Sequence, residues 1–120
     1  GASHGARLAL GEVLAIARET ESAPVALSAL DVASGLAARR GDHEVAVRWF
    51  GVAQTRQDLS GLQRDSADDA FLLPLVAASR AALGEERAAA AEAAGRALDH
   101  DAALDEVRAW LDRQEDAATR

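Results

Sequence analysis

The segment 40–44, "RGDHE", holds the densest group of side chains that could do chemistry in this chain of 120 residues. His43 next to Glu44 has the residue types of a general-base pair. However, adjacent residues on a helix do not face each other, and no nucleophile lies nearby in the sequence. The tripeptide at 40–42 also matches an adhesion motif, which is a poor fit to an acidic, cysteine-free helical context. We therefore predict a turn, with His43 in the exposed first turn of a helix.

Each residue of this segment has a structural role in that interpretation. Arg39 and Arg40 would end the preceding helix, where cations complement the helix dipole. Gly41 would adopt the left-handed conformation typical of a helix C-terminus. Asp42 would be the N-cap of the next helix. The segment then joins two helices and needs no reaction to explain it.

Two other groups have the residue types of a metal site: the Asp-His-Asp triplet at 99–101 and the aspartates at 65, 68 and 69. We interpret the first as the N-terminus of a helix capped by Asp99, where acids favour the positive end of the dipole. The second lacks the spacing and the central glycine of an EF-hand loop. The chain has no Cys and three His, one of them in the tag-like start "GASH". We expect no metal and no cofactor.

The best candidates for binding are side chains of the types that dominate interface hot spots, Arg and Trp. They are Arg39, Arg40, Arg48 and Trp49. Arg80 is a further candidate, in the groove between the hairpins, that no other feature of the sequence supports. The alternative for Trp49 is packing against a neighbouring helix, and for Arg39 and Arg40 it is a capping role. Both interpretations stay open for Trp49.

Composition narrows the classes of protein that these residues could belong to. Apolar residues make up 49% of the chain but aromatic ones only 3%, so the core must be built from Ala, Leu and Val in close-packed helices. The net charge is −7, which disfavours direct binding to nucleic acid. No apolar run approaches the ~20 residues that span a bilayer, and the start has no signal-peptide pattern. We expect a cytoplasmic location.

Apolar periodicity and capping residues predict six helices. Their predicted limits are 6–20, 23–39, 43–57, 66–83, 85–97 and about 100–113. Pro74 should kink or break the fourth helix, since its ring removes one backbone hydrogen bond and clashes with the preceding turn. Residues 58–65 form the clearest loop. We expect one domain over 6–113, a tag remnant at 1–5 and a frayed tail at 114–120.

The buried faces follow from the same periodicity. The third helix is apolar on two sides, which predicts neighbouring helices on both. The predicted apolar faces are Leu8, Val13, Leu14 and Ala17 in the first helix, with Leu10 and Ile16 beside them; Ala26, Ala29, Leu30, Ala33, Leu36 and Ala37 in the second; Val45, Ala46, Trp49, Phe50, Val52 and Ala53 in the third; and Leu104, Val107, Trp110 and Leu111 in the sixth. The fourth helix runs through the apolar residues Phe71, Leu72, Leu75, Val76 and Ala82.

Two glycine turns suggest a repeat. Gly41 and Gly84 each follow a run ending in Ala, Leu or Arg and precede an acidic first turn, and positions 41 and 84 are 43 apart. That spacing suits two-helix solenoid repeats. The segment "GLAARRGDHEVAVRWFGVAQ" resembles the last tetratricopeptide-like repeat of large bacterial signalling ATPases, and "RAALGEERAAAAEAAGRALDHDAALDEV" resembles their tail. These proteins include LuxR-type and SARP-type transcriptional regulators and ATPase-fused adenylate cyclases, common in actinobacteria.

The resemblance covers about residues 6–107 and implies a role. The ATPase, cyclase and DNA-binding parts of such proteins lie elsewhere, and this chain, which contains no Lys, lacks their phosphate-binding loop. What remains is a helical sensor and scaffold portion. Such arrays bind peptides, partner domains or small effectors on their concave face.

We therefore expect an all-α, right-handed helical-hairpin array of about six helices with a non-enzymatic role in recognition. The partner would be another protein or other domains of the same polypeptide, with no direct contact to nucleic acid or membrane. If the first helix began as the second helix of an upstream repeat, its exposed apolar face could support a homodimer. Two alternatives stay open. One is a free-standing adaptor with the same fold. The other is a small enzyme or ligand carrier, which would need a deep polar pocket.

Overall fold

A computed structural model of the chain describes residues 2–20, 23–61, 64 and 66–119. This part is all-helical, with six helices and no strand, so the predicted fold class is confirmed. The helices are α1 (Ala2–Thr20), α2 (Ala23–Arg39), α3 (His43–Ser60), α4 (Ser66–Leu83), α5 (Glu85–Ala97) and α6 (His100–Thr119). The second, fourth and fifth have the predicted limits. The first begins, and the sixth ends, inside the segments interpreted as a tag remnant and a frayed tail.

Left-handed glycines stand between the helices, as the turn signals predict. Gly41 has φ 83° and Gly84 has φ 88°, values that cost little only without a Cβ. A third, Gly61 with φ 75°, ends α3 by donating its N–H to the carbonyl of Gln57. The predicted loop at 58–65 is therefore too long, because residues 58–60 continue the helix.

The predicted break at Pro74 is wrong. Helix α4 runs without interruption across it. Pro74 and Ala70, whose carbonyl loses its helical partner to the proline ring, are both exposed. Water can therefore hydrogen-bond the carbonyl that the missing N–H leaves free, which reduces the cost of the proline.

Helix α3 is the centre of the molecule, as its two apolar faces predict. Of the eight consecutive positions 46–53, seven are buried and only Arg48 is not. Helix α5 crosses α3 very closely. A Cβ built at Gly51 would lie 2.7 Å from the carbonyl oxygen of Glu92, and a Cβ at Gly95 would collide with the backbone carbonyl of Arg48. Two glycines and an alanine-rich helix thus permit a helix separation that larger side chains would prevent.

The predicted stripe of α1 is partly wrong. Leu10, Leu14 and Ala17 form its buried face, spaced i, i+4 and i+7. Leu8 and Ile16 are 52% and 47% exposed. The helix carries apolar residues on more than one side, so the sequence alone did not fix its rotation about its own axis.

Helix α6 departs from regular stacking. The predicted buried stripe, Leu104 to Leu111, is confirmed and joins the core formed by α1, α2 and α3. Within the described residues, α6 packs on these three helices and not on α4 or α5, the hairpin that precedes it. No helix in that part of the chain is long and apolar enough to cross a membrane.

Candidate binding surface

Arg48 and Trp49 hold α6 against α3. Arg48 Nη2 donates to Glu106 Oε2 at 2.6 Å, and Trp49 Nε1 donates to Glu106 Oε1 at 3.2 Å. Trp49 is 1% exposed and meets Trp110 edge-to-face, with ring centroids 5.7 Å apart. Of the two interpretations left open for Trp49, the geometry favours packing against a neighbouring helix.

Arg39 and Arg40 diverge at the end of α2. The Arg39 guanidinium lies over the Phe71 ring, 5.2 Å from its centroid. Arg40 Nη1 donates to Gln114 Oε1 at 2.9 Å. These side-chain contacts are not the helix-end carbonyls expected of a capping role. The two arginines therefore belong to different surfaces of the molecule.

Arg80 lies on the side of α4 that faces α5. It donates to Glu92 Oε1 at 2.8 Å and places its guanidinium 5.7 Å from the centroid of the Phe50 ring. The five predicted candidates thus do not form one site. Arg48 and Trp49 belong to the α3–α6 contact, Arg80 to the α4–α5 contact, Arg39 to an α2–α4 surface, and Arg40 to a contact between the end of α2 and α6.

The turn at 40–44 is more connected than the sequence indicates. Asp42 makes no side-chain cap for α3, and its Oδ2 instead accepts the indole N–H of Trp110 at 2.8 Å. His43 is half-buried rather than exposed, and its Nδ1 lies 2.8 Å from Ser79 Oγ. Both side chains bind residues far along the chain, which no local pattern could reveal. The predicted exposed position of His43 is therefore wrong.

The strongest polar cluster involves Arg64, which sequence analysis missed. Its side chain is 4% exposed and binds Asp31 in bidentate fashion, with Nε to Oδ2 at 2.8 Å and Nη2 to Oδ1 at 2.9 Å. It also reaches Asp69 at 3.3 Å and lies over the Phe50 ring at 5.2 Å. One loop residue therefore connects α2, α3 and α4.

Burial sets the protonation behaviour of this cluster. Desolvation raises the pKa of Asp31 above its ordinary value, and the Arg64 guanidinium offsets that rise only in part. At Arg64, burial alone would lower the pKa of the guanidinium. The carboxylates of Asp31 and Asp69 more than compensate for this effect, so the pKa lies above its ordinary value. Arg64 thus stabilises the charged form of Asp31, which burial disfavours.

Asp99 caps α6 as predicted, since its Oδ2 accepts the backbone N–H of Asp101 at 3.2 Å. The side chains of His100 and Asp65, which belong to the two imagined metal sites, lie outside the described residues. Among the side chains that are described, no group of three His, Asp or Glu could hold a metal ion.

Shallow clefts mark the surface of the part of the chain that the structure describes. The first, about 500 Å³, adjoins the turn at 40–44 and is lined by residues of α3, the end of α4, the start of α5 and the end of α6. Glu44 and Arg87 bridge it at 3.2 Å and are about two-thirds exposed. A cleft of 430 Å³ continues between α3 and α6, and one of 510 Å³ lies between α4 and α5. These three clefts are open grooves.

An exposed apolar surface lies between α2 and α4. We call Val32, Gly35, Arg39, Phe71 and Leu75 the Phe71 surface. Phe71, one of the apolar residues expected along the fourth helix, is 45% exposed. Its ring lies close to the backbone of Gly35, where an added Cβ would be 2.8 Å from Phe71 Cε2. Leu75 is 3.6 Å from the same point, and Val32, one turn away on α2, is 38% exposed.

Comparisons of the chain with protein-family models, with curated proteins and with solved structures gave no match. The geometry of the chain's own residues therefore carries the functional argument.

Proposed function

We propose that the chain is a non-catalytic, cytoplasmic helical-repeat module of a multidomain bacterial signalling or transcription regulator, and that it recognises a partner polypeptide. The resemblance of segments 35–54 and 80–107 to tetratricopeptide-like regions of such regulators supports the regulatory context. The all-helical fold with glycine hairpin turns at Gly41 and Gly84 fits it.

One observation carries the recognition role: Phe71 remains half-exposed although α2 lies directly beside it. Leaving a large aromatic ring in water forgoes much of the ~1.5–3 kcal/mol that its full burial would contribute. Because Gly35 has no Cβ, an edge of the Phe71 ring comes close to the α2 backbone while much of the ring remains exposed. Aromatic side chains presented in this way are typical anchors of protein interfaces.

Charge indicates the chemistry of the partner. Arg39 covers one side of Phe71, and within the described residues its guanidinium pairs with no carboxylate. Most of the described arginines, by contrast, form an ion pair. A segment that places a large apolar side chain on Phe71 and a carboxylate beside it would satisfy both groups. We therefore propose a polypeptide segment with adjacent apolar and acidic residues as the occupant.

The test is to pan a library of random peptides against the whole chain and to measure the Kd of enriched peptides by fluorescence anisotropy. We expect enriched peptides to combine an apolar residue with Asp or Glu. Phe71→Ser should weaken their binding by at least ~tenfold. Arg39→Gln should weaken binding mainly for peptides that retain the acid.

The matched control is Leu59→Ser, since Leu59 is 75% exposed and lies at the end of α3. This variant should bind the peptides like the parent chain. Circular dichroism would verify that each variant is folded. Failure to enrich any peptide, or equal loss of binding in Phe71→Ser and Leu59→Ser, would contradict the proposal.

A further inference from the structure

Helix α4 exposes an apolar side along most of its length. Its exposed positions between 70 and 82 carry Ala, Phe, Leu or Pro and no charged or hydrogen-bonding side chain; they are 70, 71, 73, 74, 77, 78, 81 and 82. This strip is about 18 Å long and about 10 Å wide, the size of one helix face. It continues into the Phe71 surface, so that the two form one contiguous apolar patch, and large patches of this kind mark interaction sites on soluble proteins.

Unlike charges lie next to the exposed ring of Phe71. The Arg39 guanidinium, from the end of α2, is 5.2 Å from the ring centroid and pairs with no carboxylate of the described residues. Asp68 is exposed and lies three residues before Phe71, which places it one turn away on the same side of α4. The surface therefore presents a cation, an aromatic ring and a carboxylate close together.

A second copy of the chain has the chemistry that this surface requires. The proposed occupant is a segment with a large apolar side chain and a carboxylate beside it, and α4 itself offers both in Phe71 and Asp68. In a pair of copies related by a two-fold axis, every contact made once is made twice. An axis near Phe71 would pair Arg39 of each copy with Asp68 of the other and would bring the two apolar strips together.

We propose that the chain forms a two-fold dimer through α4 and the Phe71 surface, with Arg39 of each copy paired to Asp68 of the other. This inference rests on the proposed function, since it names an occupant of the same surface. A strip one helix wide on each copy places the interface at the low end of the usual size range, below about 1,200 Å² in total, so the dimer is weak. Peptides that bind the Phe71 surface therefore compete with the second copy.

Sedimentation velocity of the whole chain tests the dimer. The range is from about 2 μM to about 500 μM, at about 0.15 M salt, where repulsion between two net charges of −7 is largely screened. The sedimentation coefficient should rise with concentration from the value of a monomer toward that of a dimer. A coefficient that stays at the monomer value throughout overturns the inference.

Two serine variants locate the contact. Phe71→Ser should raise the dissociation constant at least ~tenfold. Leu8→Ser is the matched control, because Leu8 is 52% exposed on α1, the helix whose apolar face is the alternative place for a dimer. It should associate like the parent chain. Association that is lost in Leu8→Ser and kept in Phe71→Ser would place the contact on α1 and overturn the inference.

Charge reversal tests the pairing itself. In Arg39→Asp, the two-fold contact brings two carboxylates together, and in Asp68→Arg it brings two guanidinium groups together. Each variant should therefore associate with itself at least ~tenfold more weakly than the parent chain does. Mixed in equal amounts, the two variants should form a heterodimer, because both contacts again join Asp to Arg. Circular dichroism verifies that each is folded. A mixture that associates no better than either variant alone overturns the pairing.

The dimer and the proposed function can fail separately. A monomeric chain that still binds apolar, acidic peptides through Phe71 overturns the dimer and leaves the proposed function standing. A dimer that Phe71→Ser breaks, in a chain that enriches no peptide, supports the dimer and contradicts recognition of another polypeptide. If both hold, an enriched peptide should shift the dimer toward monomer in the same sedimentation experiment. A peptide that binds without dissociating the dimer would overturn the shared surface.

Discussion

Arg64 offers the sharpest test of how this fold is held together. Arg64→Met keeps the alkyl stem but removes the guanidinium, and leaves Asp31, 17% exposed, without its bidentate partner. Removing one partner of a buried ion pair costs about 3–5 kcal/mol. Residual exposure of Asp31 argues for the lower end, and loss of the cation–π contact with Phe50 adds up to ~1 kcal/mol. We expect a loss of about 3–4 kcal/mol in the free energy of unfolding near neutral pH.

The loss should shrink on acidification, and the sign follows from linkage. Burial already raises the pKa of Asp31, and the carboxylates of Asp68 and Asp69 act in the same direction. Without Arg64 the folded-state pKa of Asp31 rises further above the unfolded value. Between these two pKa values the folded variant holds more protons than the unfolded one, so its stability increases as pH falls. Protonation of Asp31 removes the unpaired charge.

Urea unfolding followed by tryptophan fluorescence measures these changes, since Trp49 and Trp110 both lie in the core. Arg87→Met is the control, because its ion pair with Glu44 is about two-thirds exposed and should contribute less than ~1 kcal/mol. The double variant Arg64→Met, Asp31→Asn should recover part of the loss. If Arg64→Met cost no more than Arg87→Met, or if its cost were constant with pH, the description of this cluster would be refuted.

Two further predictions concern the core. Phe50→Ala should lower the free energy of unfolding by about 3–5 kcal/mol, since Phe50 is 4% exposed, whereas Leu59→Ala at a 75% exposed position should lower it little. Similar values for the two variants in urea unfolding would be evidence against the assigned core. Gly95→Ala should lower the melting temperature, because the added Cβ would collide with the Arg48 carbonyl. Gly11→Ala is the control: its added Cβ has its nearest contact at 3.6 Å, so this variant should raise the free energy of unfolding by about 0.5–1 kcal/mol. A stabilising effect of Gly95→Ala would contradict the close α3–α5 crossing.

Local signals in the sequence predict the helices and turns well. The limits of α2 and α5, the left-handed conformations of Gly41 and Gly84, and the N-cap at Asp99 depend on neighbours a few residues away. The buried stripe of α6 is also correct, because its apolar residues lie on one side only. Such features need no knowledge of how helices meet.

Features that depend on how helices meet were not predictable in this way. Arg64 lies in a polar loop, where an arginine is usually solvated. Asp42 forms its hydrogen bond with Trp110, which is 68 residues away in the sequence. A weak signal for the Arg64 cluster did exist. Asp31 is the one charged residue of α2 before Arg39, and an acid in so apolar a helix needs a partner. The sequence therefore indicates that Asp31 needs a partner, but it does not identify Arg64 as that partner.

The position of α6 explains why binding and stability should be separable in this molecule. In a regular hairpin series a sixth helix would cover α4 and α5. Here α6 lies on α1 to α3, where Trp110 and Glu106 meet complementary groups, while α5 offers an alanine surface with little area to bury. The Phe71 surface involves α2 and α4 and is untouched by this contact. A partner could therefore occupy it without displacing α6, and Phe71→Ser should reduce binding while the packing of Trp49 on Trp110 persists.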